Sequence, residues 1–277
     1  PDRVLRSFSE GGKDGKDAYL TVVGNVASST NPELLYVKEQ KIPYKNYPEV
    51  IAEYFVRKNS IVCAGTYGKT TSAALMSWIL KQNGFDPSYM FGGVAINDLD
   101  AAAATASDWS VLEGDEYKTS RSDPRPKFAH YSPTHLLSTS VVWDHADVYP
   151  TEESYIQAFQ GLYDAVPDTG LRIISEKAIA VIDTKGRPAV SYGQDKANEY
   201  QLANVQQSKT GVAFDIIHKG KTYQLQTRTI GAFMADNITG CFALAHQIGI
   251  APENIIKAIE SFGGIKRRLE KRYEGKI

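Results

Sequence analysis

Gly65-Thr66-Tyr67-Gly68-Lys69-Thr70-Thr71 is a loop whose residue types suit a polyanion. Its glycines let backbone N–H groups turn inward with no Cβ in the way. The Lys69 ammonium has the reach for the β- and γ-phosphates of a triphosphate, and the Thr70 hydroxyl suits a Mg²⁺ ion held between them. A helix starting at Lys69 adds a partial positive charge at its first turn. The strict form of this motif has glycine where Cys63 stands, so a plain strand–turn–helix connection is the competing reading. Two further clusters carry chemistry: Glu113-Gly114-Asp115-Glu116 and Asp144-His145-Ala146-Asp147. Glu113 is a natural oxygen ligand for a first or second Mg²⁺, or else part of a solvated acidic turn. His145 could ligate a metal, act as a base or hydrogen-bond in a loop. Asp115, Glu116, Asp144 and Asp147 read equally as helix caps or surface acids. Asn237 reads as a cap near a helix start, with an adenine contact as the sharper alternative. Arg268, in the run Lys266-Arg267-Arg268, is either part of a solvated face or a clamp on phosphoryl oxygens.

These residues must be positioned by the elements around them. Ile61 to Ala64 predicts a buried strand before the loop, and an amphipathic helix after it ends at Asn83-Gly84. Ser110 to Leu112 predicts a strand ending in the first acidic cluster, and Leu136 to Trp143 one ending in the second. Thr151 caps a helix to about Ala165, and Leu171 to Ile174 is a further strand. The rhythm predicts an α/β fold with a mostly parallel sheet flanked by helices. Such sheets bind ligands at the carboxyl ends of their strands, so the loop and both clusters converge on one ATP–metal site. Tyr200 to Thr229 alternates around His218-Lys219-Gly220-Lys221 and predicts a small antiparallel region. Helices follow at about 236–248 and 252–262. The Ala-rich tract 101–106 is a loop or a short helix, and residues 178–186 are helix or strand. Before residue 58, a strand at 19–24 and helices at 31–39 and 48–56 predict part of a further α/β domain.

Composition narrows the function class. The chain of 277 residues is 42% hydrophobic and 23% charged, as in ordinary soluble domains. A net charge of −1 argues against a nucleic-acid or membrane-surface footprint. No apolar run reaches the ~18 residues of a membrane span and no signal peptide opens the chain. A cytoplasmic location is expected. Cys63 and Cys241 are far apart in sequence and are expected to be buried thiols.

Taken together, these motifs resemble the Mur ligases. GTYGKTT at 65–71, EGDE at 113–116, DHAD at 144–147, a Gly-x-x-x-x-x-Asn start at Gly231–Asn237 and the Arg-Arg-x-Glu exit at 267–270 fall in the family's order. The resemblance implies an ATP-dependent amide-bond ligase that joins an amino acid or peptide to the carboxylate of UDP-N-acetylmuramate through an acyl phosphate. It implies ATP and Mg²⁺ as cofactors. Gly65, Thr66, Tyr67, Gly68, Lys69, Thr70 and Thr71 would hold the phosphates, with Thr70 on one Mg²⁺, and Glu113 and His145 on a second. Asn237 would contact the adenine and Arg268 the nucleotide phosphates. Lys69, Glu113 and His145 would be the catalytic set. Departures from the family pattern are Tyr67 for a His, Gly114 for an Ala, Ser140 for an Asn, and Phe233-Met234 for a His-Asn pair. The implied division is 1–58 closing a UDP-binding-type domain, 59–265 the central ATP-binding domain, and 266–277 opening a linker to a third domain. The corresponding expectation is a chain that binds Mg-ATP but does not ligate alone. A small-molecule kinase and a non-catalytic nucleotide-binding module remain the alternatives.

Overall fold

The computed structural model describes residues 20–97 and 99–266, so Arg268 and the rest of the basic exit lie outside the described residues. Near the amino end, Thr21–Val23 (β1) and Tyr44–Asn46 (β2) pair in parallel around the helix Pro32–Glu39 (α1). The Asn31 side chain accepts from Leu34 N at 2.9 Å, and Pro32 occupies the first turn, where a missing N–H costs nothing. Tyr47–Tyr54 (α2) follows, with Glu49 reaching back to the Asn46 N–H at 2.7 Å.

The strand Asn59–Ala64 (β3) leads into the helix Lys69–Gln82 (α3). Then come Ser88–Met90 (β4), Ala102–Ala103 (β5), Trp109–Gly114 (β6) and His135–Ser138 (β7). Glu152–Ala165 (α4), Leu171–Ser175 (β8), Glu176–Ile179 (α5) and Val190–Gly193 (β9) continue the alternation. Tyr200–Ser208 (β10), Gly211–His218 (β11) and Lys221–Thr227 (β12) precede the helices Phe233–Gln247 (α6) and Pro252–Ser261 (α7). The ten strands β3 to β12 form one sheet in the order β12-β11-β10-β9-β8-β7-β3-β6-β4-β5. It is parallel from β10 to β4 and antiparallel at both edges. The α/β reading holds, with one refinement: the antiparallel region extends the parallel sheet.

Three local expectations change. The Ala-rich tract supplies neither loop nor helix at Ala102–Ala103 but the edge strand β5, which pairs with Tyr89 and Met90. The run expected as a strand from Leu136 to Trp143 stops pairing at Ser138, because residues 139–142 bond to the phosphate loop instead. The segment 178–186 begins inside the one-turn α5 and ends in turns.

β3 is buried on both faces, as the centre of a parallel sheet must be. Ile61 and Cys63 join a cluster with Leu75, Ile79, Phe242 and Ile259, under α3, α6 and α7. Val62 and Ala64 join the opposite cluster with Ile51, Leu112, Tyr155 and Phe159, under α2 and α4. The helix α3, expected to be amphipathic, is buried nearly all round from Thr70 to Leu80. Its small residues, Ser72, Ala73, Ala74 and Ser77, let the sheet and α6 approach together. The Trp78 indole donates to Ala258 O at 3.1 Å and ties α3 to α7. Cys63 and Cys241 are unpaired buried thiols, and burial pushes both well above the usual thiol range.

Candidate functional site

The loop between β3 and α3 is held from beneath by the chain that leaves β7. Thr66 N donates to Ser140 O at 2.8 Å and Tyr67 N to Ser140 Oγ at 3.2 Å. The Thr66 hydroxyl donates to Val142 O at 2.8 Å, accepts from Val142 N at 2.8 Å, and lies 3.0 Å from the Tyr155 hydroxyl. Thr66 therefore serves the loop's shape with both its side chain and its N–H, and its carbonyl accepts from Lys69. Gly68 takes φ +87°, and a Cβ there would meet Asn237 Oδ1 at 2.3 Å. Both facts require glycine. α3 begins at Lys69 after Gly68, an N-cap with no side chain to cap it, so its first turn presents the positive end of the helix.

Two carboxylates, Glu113 near the end of β6 and Glu116 in the turn after it, flank the loop's hydroxyl and cation. Thr70 Oγ1 donates to Glu113 Oε1 at 2.6 Å, and the other Glu113 oxygen accepts from Gly92 N at 2.5 Å. Lys69 Nζ donates to Glu116 Oε1 at 3.0 Å and to Thr66 O at 3.2 Å. His145 Nε2 lies 3.2 Å from the same Glu116 oxygen, while His145 Nδ1 lies 2.8 Å from the Tyr117 hydroxyl. His145 has φ 58°, in the left-handed region, within the loop after β7. Glu116 is fully buried, and burial pushes its carboxyl above the usual range against the opposing pull of Lys69. Its Oε2 has no partner among the described residues. The contacts thus run Glu113–Thr70–Lys69–Glu116–His145 along the carboxyl ends of β3, β6 and β7.

A cavity of about 830 Å³ opens over this edge. Gly68, Lys69, Thr70, Glu113 and Asn237 line it, as do the exposed rings of Tyr67 and Phe233. Among the described residues no three His, Cys, Asp or Glu side chains stand close enough together to hold a metal by themselves. Any cation here would rely on the hydroxyl, single carboxylates and oxygens of its own ligand.

Of the expected site residues, Lys69, Thr70, Glu113 and His145 are brought to one sheet edge and Arg268 lies outside the described residues, while the following readings change. Glu116, weighed as a cap or surface acid, is a buried hub joining Lys69 to His145. No local signal marks it, because Asp115 beside it is also an acid just past the strand end. Asn237, weighed as a cap, sits inside α6, whose N-cap is Ala232, and its side chain faces Gly68. His145 contacts Glu116 rather than Glu113.

Residues 63–245 match the Mur ligase middle domain. The chain is 31% identical over 258 residues to the UDP-N-acetylmuramate–L-alanyl-γ-D-glutamyl-meso-2,6-diaminoheptandioate ligase of Escherichia coli, covering 92% of this chain and 56% of that protein. It is 30% identical over 263 residues to the UDP-N-acetylmuramate–L-alanine ligase of a Bradyrhizobium species, covering 91% and 55%. The chain thus spans about half the length of these relatives. Among solved structures, the UDP-N-acetylmuramate:L-alanyl-γ-D-glutamyl-meso-diaminopimelate ligase from Neisseria meningitides superposes with a TM-score of 0.79 at 27% identity, covering 90% of this chain and 80% of that one.

Proposed function

The chain belongs to the Mur ligase family, and from that membership we propose that it forms the ATP-binding part of an ATP-dependent ligase. The reaction joins an amino acid or peptide to the carboxylate of UDP-N-acetylmuramate in peptidoglycan synthesis or recycling. The observation that carries the reading is the run of contacts from Glu113 through Thr70, Lys69 and Glu116 to His145, of which Glu113, Thr70 and Lys69 line the cavity.

The first turn of α3 receives the phosphates, and Lys69 turns from Glu116 to the β- and γ-oxygens. The donor set suits Mg²⁺: Thr70 and Glu113 offer hard oxygens side by side, and His145 stands past Glu116 as the partner for a second ion. When bound, Mg²⁺ supplies charge neutralisation as one anion approaches another. In the proposed first step a carboxylate oxygen of UDP-N-acetylmuramate forms a bond to the γ-phosphorus and ADP leaves. The incoming amine then adds to the acyl carbon, and inorganic phosphate departs from the tetrahedral adduct. Asn237, beside Gly68 and on the cavity wall, is assigned to the adenine end, with Phe233 and Tyr67 as exposed rings around it. Arg268, outside the described residues, keeps its assignment to the nucleotide phosphates. The boundaries 1–58, 59–265 and 266–277 are proposed as first-domain end, central domain and linker. A cytoplasmic setting is proposed with them; among the described residues no helix is long and apolar enough to cross a membrane.

We assign the peptide-adding branch, murein peptide ligase, on the Escherichia coli and Neisseria relatives, with the L-alanine-adding enzyme as the second reading. Titration calorimetry with Mg-ATP tests the nucleotide half. Binding by the 277-residue chain that disappears in Lys69→Ala supports it, and equal binding by both overturns it. Phosphate release by the full protein with UDP-N-acetylmuramate tests the ligase half. A response to L-alanyl-γ-D-glutamyl-meso-diaminopimelate supports the branch, and a response to L-alanine alone reverses it.

A further inference from the structure

Lys69, the cation assigned to the phosphates, already has an anionic partner. Its Nζ is bonded to Glu116 Oε1 at 3.0 Å and to Thr66 O at 3.2 Å, and its side chain is only 15% exposed. An ammonium has three donors, so two of them are committed before any ligand arrives. Glu116 itself is fully buried. Its Oε1 serves Lys69 and His145, and its Oε2 has no partner among the described residues. A buried carboxylate with half its hydrogen-bonding capacity unmet depends on its counter-ion. The pair is therefore a stored interaction at the place where a polyanion must bind.

We propose that Glu116 is the resident counter-ion of the phosphate-binding lysine and sets nucleotide affinity by competing with the phosphates for it. The proposal rests on the nucleotide-binding reading of the cavity. A triphosphate must draw Lys69 away from Glu116 or share it, and in either case approaches a fixed negative charge across a poorly hydrated gap. Glu116 in this account touches no reacting atom; it positions Lys69 and His145 and discounts the charge of Lys69. The discount falls only on ligand groups that Lys69 reaches. It therefore applies to ATP and ADP and is absent for adenosine.

Glu116→Gln keeps the shape and an acceptor for Lys69 and His145 while removing the charge. Titration calorimetry with ATP and with adenosine, in EDTA to exclude divalent cations, provides the test. The expected result is ATP binding tighter by about three- to tenfold in Glu116→Gln, with adenosine binding unchanged. ATP binding that is unchanged or weaker overturns the proposal, as does an equal change for adenosine, which marks general loosening of the site. Glu116→Asp retains the charge but draws it back from Lys69, and a gain about half as large in free energy is expected. If Glu116→Gln does not fold, Glu116→Asp decides alone: tighter ATP binding supports the proposal, and equal or weaker binding overturns it. Failure of the wild-type chain to bind ATP, even with Mg²⁺ present, sinks the nucleotide reading and this proposal with it.

Discussion

Replacing Thr66 with valine preserves the volume of the side chain and deletes one oxygen. That oxygen accepts from Val142 N and donates to Val142 O, both at 2.8 Å, and meets the Tyr155 hydroxyl at 3.0 Å. The three lost bonds are unequal. Val142 is 49% exposed, so its backbone groups can turn to water, and their loss costs about 1 kcal/mol together. Tyr155 is fully buried, and stranding its hydroxyl costs about 1–3 kcal/mol. Thr66→Val is therefore expected to lose about 2–4 kcal/mol in urea denaturation, with an unchanged m-value. Tyr155→Phe alone loses about 1 kcal/mol, because Thr66 keeps its two backbone bonds. The double variant removes the stranded hydroxyl as well, so it should be more stable than Thr66→Val. A double variant less stable than Thr66→Val, or a Thr66→Val loss below about 0.5 kcal/mol, would refute the idea that this hydroxyl clamps the loop to the chain after β7.

Gly68→Ala places a Cβ at φ +87° and 2.3 Å from Asn237 Oδ1. Backbone strain and displacement of Asn237 together should lower stability by about 1–3 kcal/mol and weaken Mg-ATP binding by about tenfold or more; urea denaturation and calorimetry read the two, and a variant unchanged in both contradicts the loop geometry. Acidification tests three half-buried histidines. Burial holds His135, His130 and His246 below the ordinary value of 6.5. The unfolded chain then binds more protons than the native one in that range, so stability should fall as the pH drops below about 6.5. His135→Asn should flatten part of the decline in melting temperature between about pH 7.5 and 5.5. The comparison isolates His135 from Glu116, whose raised carboxyl acts in the opposite direction. Identical slopes in the two proteins would show that His135 is not neutral in the native state.

The phosphate loop was legible because every part of it is local: a β-branched strand, two glycines, a lysine and a helix start within one stretch. The acids after β6 and the Asp-His turn after β7 were legible because parallel sheets place such turns along one edge. What escaped was decided by distant partners. Nothing near Glu116 distinguishes it from Asp115, yet Lys69 and His145 close over one and Lys127 takes the other at 2.7 Å. The apparent strand at 139–143 has the apolar character of one, but its hydrogen-bonding groups are claimed by Thr66 and Tyr67. α3 reads as one-faced because its covering from α6 and α7 lies more than a hundred residues further along the chain. Ala102–Ala103 became a strand only because an unpaired edge of β4 was available.

The placement of β3 between β6 and β7 also governs the order in which the molecule can be made. During vectorial synthesis the loop at 65–71 emerges long before either neighbour of its strand. Its under-strap at 139–142 comes later still, and the α6 side chain that abuts Gly68 last of all. A ribosome-bound chain ending before residue 142 therefore has the motif without the cradle. Nucleotide cannot act as a template for the early stages of folding, and its stabilising effect begins only once the sheet has closed around that central strand.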